Sequence, residues 1–387
     1  MRLNRLQISD YRNLASVDLK FPNDLGLIIG RNAQGKSNLL EAIYLLATMK
    51  STRVETDAQL IRRDAMADVL PAARVVGEAS TANGPLKVEA TIVARQGASG
   101  PIATKTVKVN GVAKRLSDAT GRLTAVLFTA EDLEMISGSP SLRRRYLDLT
   151  LSQIDPLYSR ARSHFDRVLT QRNSLLKRIR EGAAAVDELE FWDEQAATDG
   201  AVLFRERAFA VQRIADLAAA AHADLAPGEV LVVEYQPKLD GAGSLAQRNE
   251  EDIRGLYAKA LKSSVQRDTG AGMTTQGPHR DDVTFSLDGL GAAGFASRAQ
   301  QRTIALSLRL AETQLLRERR GESPLLLLDD ILSEMDADRR QSVLHTLGVG
   351  EQMLVTGTDW DRFPPDFLAG ASLFEIEEGS VVVPAGR

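Results

Sequence analysis

The sequence predicts an α/β fold in which a mainly helical block separates two strand-containing pieces. Apolar and polar residues alternate through roughly the first 120 residues, as in strands with one buried face. Patterns with helical spacing follow over residues 142–180 and 187–226, and short apolar runs return in roughly the last ninety residues. We therefore expect residues 1–125 and 302–387 to form one α/β domain and residues 126–301 to form an inserted helical lobe.

The first piece is predicted to contain strands, one helix and two hairpins. Alternation predicts two half-exposed strands, with apolar residues at Leu3, Leu6 and Ile8, then at Val17, Leu19 and Phe21. The apolar run over residues 25–29 is typical of a buried strand. Helical spacing follows Lys36, at Leu39, Leu40, Ile43 and Leu46. Asn83-Gly84 and Asn110-Gly111 favour hairpin turns.

Strand patterns also occur within and after the helical block. They cover residues 230–235, 283–287, 325–328 and 353–356. A further helix is predicted over residues 297–319. Glu378-Gly379 near the end of the chain favours another hairpin.

The composition excludes several classes of protein. Of the 387 residues, 43% are hydrophobic and 26% charged, as in ordinary soluble globular proteins. The absence of cysteine excludes disulfides, zinc–thiolate sites and thiol catalysis. A net charge of −4 excludes a globally basic nucleic-acid-binding protein but permits a local basic patch. Because the sequence has neither a signal-peptide core nor an apolar run of roughly eighteen residues, we expect a cytoplasmic protein without a membrane partner.

The strongest motif is a phosphate-binding loop of the pattern G-x-x-x-x-G-K-[ST]. It reads Gly30-Arg31-Asn32-Ala33-Gln34-Gly35-Lys36-Ser37. Its glycines let successive backbone N–H groups surround phosphate oxygens at the start of a helix. Lys36 is the positive charge for the β- and γ-phosphates of ATP, and the Ser37 hydroxyl is a Mg²⁺ ligand.

An acidic motif follows the four leucines at 325–328. Asp329 and Asp330 are placed at the carboxyl end of that predicted strand, where an α/β sheet presents its ligands. We expect Asp329 to hold Mg²⁺ and Asp330 to polarise the attacking water as a catalytic residue. The long separation from the phosphate-binding loop argues against a small GTPase-like domain and favours an ATPase head with a large insertion.

Two further motifs leave their roles open. Ser297-Arg298-Ala299-Gln300 opens a predicted helix, where a serine is first a capping residue and secondly an anion ligand. His279, Asp281 and Asp282 suggest either a metal site or a buried ion-pair cluster, and the cluster is favoured.

Residues 142–180 contain ten basic residues against three acidic ones. Such a run is usually a solvated helical face, but in an acidic protein it also indicates a surface that follows phosphates. The candidate DNA contacts are Arg143, Arg160, Arg167, Arg172 and Lys177. Few aromatic residues accompany them, so we expect contacts with the DNA backbone rather than base stacking.

In their order along the chain, these motifs resemble those of ABC-type ATPases of the SMC class, and most closely those of the RecF family. The matching strings include Tyr11-Arg12-Asn13-Leu14, residues 30–38, Arg143-Arg144, Gln171-Arg172-Asn173, residues 277–282, residues 296–302 and residues 328–336. The resemblance covers nearly the whole chain. It implies an ATPase lobe of two sheets and a helical second lobe too short for an SMC coiled coil.

The resemblance also implies roles for individual residues. Asn38 completes the nucleotide-binding loop, and Arg12 and Asn13 match a nucleotide-proximal pair. Ser297 to Gln300 match a signature that reaches ATP on a second subunit. Ser333 and Asp336 match a loop that crosses the dimer interface.

Three features depart from the pattern of related ATPases. Ala299 replaces the usual glycine of the signature, which hinders close backbone approach. Asp330 replaces a transporter-type Glu and is one methylene shorter, which suggests slow hydrolysis. No histidine follows the strand at 353–356, where Thr356 or Thr358 substitutes only weakly for a γ-phosphate sensor.

The function implied by the resemblance is that of a weak ATPase in recombinational repair and replication-fork maintenance. Its ATP-bound homodimer would act on gapped DNA, with single-stranded DNA, duplex junctions and the mediator RecR (with RecO) as partners, and with ATP and Mg²⁺ as cofactors. One alternative is a nucleotide-gated scaffold that does not hydrolyse ATP. The other is an ABC transporter ATP-binding subunit, which is disfavoured because the sequence lacks a recognisable partner-coupling Gln loop.

Overall fold

The computed structural model describes residues 1–97, 100–241, 243, 245–331, 351–363 and 365–382. The chain divides into two compact units. Unit 1 comprises Met1–Asp132 and Glu312–Arg387, and unit 2 comprises Leu133–Ala311. The predicted boundaries differ from these because the cut after residue 125 would pass through a strand of unit 1, while residues 302–311 pack with unit 2.

The strands are β1 (Arg2–Tyr11), β2 (Leu14–Lys20), β3 (Leu25–Ile29), β4 (Ala72–Thr81), β5 (Gly84–Gly97), β6 (Gly100–Val109), β7 (Val112–Lys114), β8 (Ala125–Phe128), β9 (Leu231–Gln236), β10 (Asp282–Leu287), β11 (Leu290–Gly291), β12 (Leu325–Leu328), β13 (Met353–Gly357), β14 (Ala371–Glu377) and β15 (Ser380–Val382). The helices are α1 (Lys36–Thr48), α2 (Leu116–Ala119), α3 (Leu133–Ser137), α4 (Pro140–Ile154), α5 (Pro156–Arg180), α6 (Leu189–Leu225), α7 (Glu250–Ala271), α8 (Ala292–Phe295), α9 (Arg298–Arg320) and α10 (Pro365–Ala369).

Unit 1 contains two six-stranded sheets. The first is antiparallel, in the order β2-β1-β4-β5-β6-β7. The second has the order β15-β14-β3-β13-β12-β8 and is parallel except for β15. Parallel strands covered on both faces consist of continuous apolar residues, which explains the buried runs in β3, β12 and β13.

The register of the parallel sheet positions the nucleotide-binding motifs. Ile29 at the end of β3 pairs with Gly357, and Leu328 at the end of β12 pairs with Val355. The carboxyl ends of these strands therefore meet at one edge of the sheet. The phosphate-binding loop leaves β3 at this edge, and Asp329 leaves β12 beside it.

Unit 2 is mainly helical, with α5 packed on α6 and α6 packed on α7 and β9. Its sheet has the order β11-β10-β9. The predicted α/β architecture of two sheets with a helical second lobe is confirmed, as are the hairpins at 83–84, 110–111 and 378–379. Among the described residues, no helix has both the length and the apolar character required to cross a membrane.

One helical prediction needs correction, and one helix was missed. The pattern at 142–180 forms two helices, α4 and α5, because Pro156 lacks a backbone N–H and is suited to a first helical turn. Asp155 caps the second helix by accepting a hydrogen bond from Leu157 N at 2.8 Å. Helix α7 was not predicted. Its buried face mixes large apolar residues with small and polar ones, so the apolar period is weak.

Candidate functional site

The phosphate-binding loop joins β3 to α1, as predicted. Gly35 has φ 119°, and a Cβ there would lie 2.8 Å from the side-chain oxygen of Asn13, so this position favours glycine. The Lys36 ammonium donates hydrogen bonds to the carbonyls of Gly30 at 2.6 Å and Arg31 at 3.0 Å. Burial lowers the pKa of Lys36, while Asp330 and Asp329 act in the opposite direction.

The two halves of the predicted metal site meet. Ser37 Oγ donates to Asp329 Oδ1 at 2.9 Å, although the two residues are 292 positions apart. Thr356 Oγ1 donates to the same carboxylate oxygen at 3.0 Å and accepts from the backbone N–H of Asp330 at 2.9 Å. Burial raises the pKa of Asp329, and the hydrogen bonds from Ser37 and Thr356 partly offset that rise. The hydroxyl of Thr356 therefore fixes both acidic residues.

This site suits a magnesium ion. Mg²⁺ usually keeps several waters and takes one or two protein ligands together with substrate phosphates. Ser37 and Asp329 supply one hydroxyl and one carboxylate at hydrogen-bond distance. Within the described ranges, no group of three acidic or histidine side chains forms a metal cage. The pair therefore fits a metal bound jointly with a nucleotide.

Two other segments donate hydrogen bonds to the phosphate-binding loop or accept them from it. Asn13 donates from its side-chain amide to Gln34 O at 3.0 Å, and Asn38 donates to Asn13 Oδ1 at 2.8 Å. From the β14–β15 turn, Gly379 N donates to Gln34 O at 3.1 Å and Glu378 N to Gln34 Oε1 at 2.5 Å. The sequence predicted this hairpin but gave no sign that it contacts the nucleotide loop.

Arg12 is held beside the same loop by a buried acid. It has φ 58°, and its Nε donates to Glu41 Oε2 at 2.9 Å. Glu41 lies on α1 with 1% of its surface exposed, and it also accepts a hydrogen bond from Ser51. Sequence reasoning missed Glu41. The sequence did contain a signal, which is an acidic residue four positions after Ser37 on a helix with an apolar face. Such a carboxylate is buried and therefore requires partners.

The signature residues lie at the start of α9, in unit 2. Ser297 N donates to Gln300 Oε1 at 2.9 Å and Gln300 N donates to Ser297 Oγ at 3.2 Å, which is a reciprocal capping box. Ser297, Arg298 and Ala299 are exposed. Gln300 also donates to Glu229 Oε1 at 3.0 Å. The capping role is therefore present within the chain. Ser333 and Asp336 lie outside the described residues.

The motif at residues 277–282 forms the favoured buried ion-pair cluster. Arg207, with 1% exposure, lies 2.7 Å from Asp148 and 3.1 Å from Asp281. Tyr235 also donates to Asp281 through its hydroxyl. Asp282 accepts a bidentate pair from Arg143, with distances of 2.7 and 3.0 Å.

Two of the predicted DNA contacts are wrong. Arg143 is buried by its pairing with Asp282, and Arg172 is fully buried between Asp193 at 2.6 Å and Asp268 at 2.8 Å. Buried guanidiniums that neutralise carboxylates cannot also follow a DNA backbone. The other three predicted contacts lie on exposed positions of α5: Arg160, Arg167 and Lys177.

Comparisons with known proteins agree on the family. The model of the RecF/RecN/SMC N terminal domain matches residues 2–362. A protein of Chloroflexus aurantiacus named DNA replication and repair protein RecF is 40% identical over 397 residues, covering 98% of this chain and 99% of its own. A solved structure of the recombination mediator protein RecF with ATP in the RecFOR pathway has a TM-score of 0.87 and 33% identity, and covers 99% of this chain and 98% of its own.

A more distant likeness extends to the fold of SMC heads. The Smc head domain from Pyrococcus furiosus has a TM-score of 0.51 at 14% identity, covering 98% of this chain and 96% of its own. Because the family model spans most of the sequence and a relative is 40% identical across nearly all of it, the chain belongs to the RecF family of the RecF/RecN/SMC group.

Proposed function

We propose that the protein is a cytoplasmic, ATP-dependent DNA-binding ATPase of recombinational repair and replication-fork maintenance. The observation that carries this proposal is the nucleotide site of unit 1, where Ser37 Oγ and Asp329 Oδ1 lie 2.9 Å apart beside Lys36. Membership of the RecF family supports DNA repair as its setting, since the Chloroflexus relative is named a DNA replication and repair protein.

The residues of the loop would bind the phosphates of ATP. Lys36 supplies the positive charge for the β- and γ-phosphates. Ser37 and Asp329 would hold Mg²⁺, which would neutralise phosphate charge. Asp330, whose backbone is fixed by Thr356, polarises the attacking water. Because its carboxylate is one methylene shorter than the usual Glu, we expect slow turnover.

We further propose that ATP joins two copies of the chain. The exposed start of α9 presents Ser297 and its neighbours where the N-terminal end of a long helix attracts anions. The signature Ser297-Arg298-Ala299-Gln300 of one copy would contact the nucleotide of the other, with Ser333 and Asp336 in the loop at their interface. ATP shifts the monomer–dimer equilibrium only through the contacts that it gains in the dimer.

The proposed partners are DNA and recombination mediators. Single-stranded DNA and duplex junctions at gaps are the expected substrates, and RecR with RecO the expected proteins. The solved neighbour that is described as a recombination mediator in the RecFOR pathway supports this assignment.

The decisive test compares wild type with Asp330→Asn and Lys36→Met. Light scattering with Mg-ATP, ADP or no nucleotide measures the dimer, and a single-turnover assay with and without DNA measures hydrolysis. Asp330→Asn keeps the size of the side chain but removes its negative charge, so we expect ATP binding to persist, turnover to fall and the dimer to accumulate. Lys36→Met should lose both ATP binding and dimerisation.

Other outcomes identify the alternatives. A wild-type chain that dimerises with ATP but never hydrolyses it would be the nucleotide-gated scaffold, an alternative that Ala299 and Asp330 leave open. Equal loss of binding and turnover in Asp330→Asn would make Asp330 a structural or metal residue. Dimerisation of Lys36→Met at wild-type ATP concentrations would remove Lys36 from the phosphate site.

A further inference from the structure

We propose that four cations around residues 272–280 of unit 2 form a binding surface for the phosphodiester backbone of DNA. The four cations are Lys177, Arg180, Arg267 and Arg280, and we call them together the 272–280 surface. The inference rests on the proposed function and deepens it, because it assigns the DNA contact to side chains that come from α5, from α7 and from the motif at 277–282. Only Lys177 among them was a predicted DNA contact.

All four side chains meet the same short segment. Gly272 ends α7 with φ 64°, and a Cβ there would lie 2.9 Å from Arg180 Nη1 and 3.3 Å from Lys177 Cγ. Arg267 Nε donates to Thr275 Oγ1 at 2.8 Å. Arg280 donates to Thr274 O from Nε at 3.3 Å and from Nη2 at 3.2 Å. The cations therefore converge although their positions span over a hundred residues of sequence.

Their charges are not neutralised by carboxylates. Within the described residues none of the four forms an ion pair, and all four are exposed. The side chains of Arg267 and Arg280 donate hydrogen bonds to a hydroxyl, a carbonyl and the Met273 sulfur, which are neutral. Asp268 on the same helix is buried and pairs with Arg172 at 2.8 Å. In a chain of net charge −4, this is a local positive surface.

The histidine of the motif adds no charge at neutral pH. His279 Nε2 lies 3.0 Å from Thr274 O, and burial lowers the pKa of His279 to about 4, with Arg280 and Arg144 contributing. The positive charge of the surface therefore comes from its lysine and three arginines and not from His279.

Buried hydrogen bonds hold the segment in one conformation. Asn173 Oδ1 accepts from Thr274 N and from Thr274 Oγ1, both at 2.8 Å. Arg172 Nη1 donates to Thr274 Oγ1 at 2.8 Å, and Thr275 N donates to Asp268 Oδ1 at 3.0 Å. Buried Arg172, which cannot contact DNA itself, thus positions the backbone carbonyl that holds Arg280. A preorganised surface binds phosphates with little ordering cost.

The chemistry of the surface favours phosphates over bases. Its members are guanidinium and ammonium groups, and the aromatic side chains nearby on α5 and α7, Phe165 and Tyr257, are buried. Stacking on unpaired bases is therefore not available from them. We expect binding that is independent of sequence and steeply dependent on salt. An acidic protein surface is the competing ligand, and the test separates the two.

The test measures DNA affinity of the full chain against salt concentration, with a non-hydrolysable ATP analogue present. The variant Arg267→Gln/Arg280→Gln should weaken binding to a gapped duplex at least about tenfold, and reduce the log–log salt slope by about 1.8 per chain. The matched control is Arg205→Gln/Arg254→Gln, which removes equal charge from residues of the same unit that pair with Glu250 and Glu251. It should bind like wild type.

Further measurements keep the outcomes distinct. Arg267→Lys/Arg280→Lys retains the charge and should restore most of the affinity, while light scattering checks that each variant still dimerises with ATP. An unchanged slope in the Gln variant, or an equal loss in the control, overturns the assignment. Unchanged DNA binding with lost binding to polyglutamate would identify an acidic protein as the ligand instead. Wild type that binds no DNA with ATP would contradict the proposed function itself.

Discussion

At the scale of single residues, Thr356 links the two acidic residues of the proposed nucleotide site. One hydroxyl donates to Asp329 and accepts from the backbone of Asp330, so both acidic residues depend on it. Its donated hydrogen bond also opposes the rise in the pKa of Asp329 that burial causes. An uncharged residue therefore lowers the pKa of the carboxylate that we propose as a Mg²⁺ ligand.

We expect Thr356→Val to weaken Mg-ATP binding about tenfold, since a hydrogen bond to a charged group contributes about 1.5–3 kcal/mol. Without the hydroxyl, the pKa of Asp329 rises further, and a protonated carboxyl binds Mg²⁺ poorly. The deficit should therefore grow as the pH falls and shrink as it rises. Titration with a fluorescent ATP analogue from pH 6 to 9 measures it. Thr356→Ser should behave like wild type, and a deficit independent of pH would contradict the link to Asp329.

The sequence indicated Lys36, Ser37 and Asp329 because each belongs to a local motif. The contacts of Thr356 with the acidic residues, and those of Gln34 with the β14–β15 turn, depend on the pairing of strands that are distant in sequence. No local pattern encodes that pairing. Arg143 and Arg172 were misassigned for a related reason. A run of cations appears basic in sequence, but its carboxylate partners Asp282, Asp193 and Asp268 lie elsewhere in the chain.

At the scale of elements, the packing of α5 against the segment after α7 buries a titratable group. Phe165 on α5 lies 5.9 Å from His279, ring centroid to ring centroid. Burial holds the pKa of His279 at about 4, well below its ordinary value near 6.5. The unfolded chain therefore takes up a proton at a pH where the folded chain does not.

This difference predicts a loss of stability in acid. From pH 6.5 down to about 4 the unfolded state gains protons first, so the free energy of unfolding should fall by about 3 kcal/mol through His279 alone. His279→Gln should lack this component. Urea unfolding in a Trp360→Phe background, where Trp192 reports on unit 2, measures both chains at pH 7 and pH 4.5. Equal acid sensitivity in the two chains would contradict the assignment to His279.

Element boundaries show where local signals suffice. The alternation in β1 and β2 and the apolar runs of β3 and β12 predicted strands correctly. About one side chain in two is buried in β1 and β2, and nearly every residue is buried in β3 and β12. The break between α4 and α5 was encoded by Asp155-Pro156, yet the helical period on both sides concealed it. Helix α7 has few large apolar residues, and its place depends on packing against α6.

At the scale of the whole molecule, the capping box at Ser297 has a second proposed use. Within one chain it provides hydrogen-bond acceptors for backbone N–H groups at the start of α9. In the proposed dimer, the same turn faces the nucleotide of the partner. These two uses predict different responses to substitution.

Ser297→Arg should abolish ATP-dependent dimerisation while leaving ATP binding by the monomer nearly intact, because a bulky cation blocks the approach of the second copy. Ser297→Ala serves as the control for the lost cap, which costs about 1 kcal/mol of stability. Light scattering with Mg-ATP and an ATP-binding titration give the two readouts. If Ser297→Arg reduced ATP binding by the monomer as much as dimerisation, Ser297 would serve mainly as a helix cap within its own chain.

The position of β3 between β13 and β14 has a consequence for protein synthesis. The ribosome makes β3 and the phosphate-binding loop early, but their hydrogen-bond partners come late, and Gln34 and Glu378 are 344 positions apart. Until β13 and β14 emerge, the apolar side chains of β3 have no neighbouring strands and need protection from aggregation. Nascent or prematurely terminated chains therefore lack these contacts of β3 and Gln34. We expect ATP to bind only chains whose translation has passed β14.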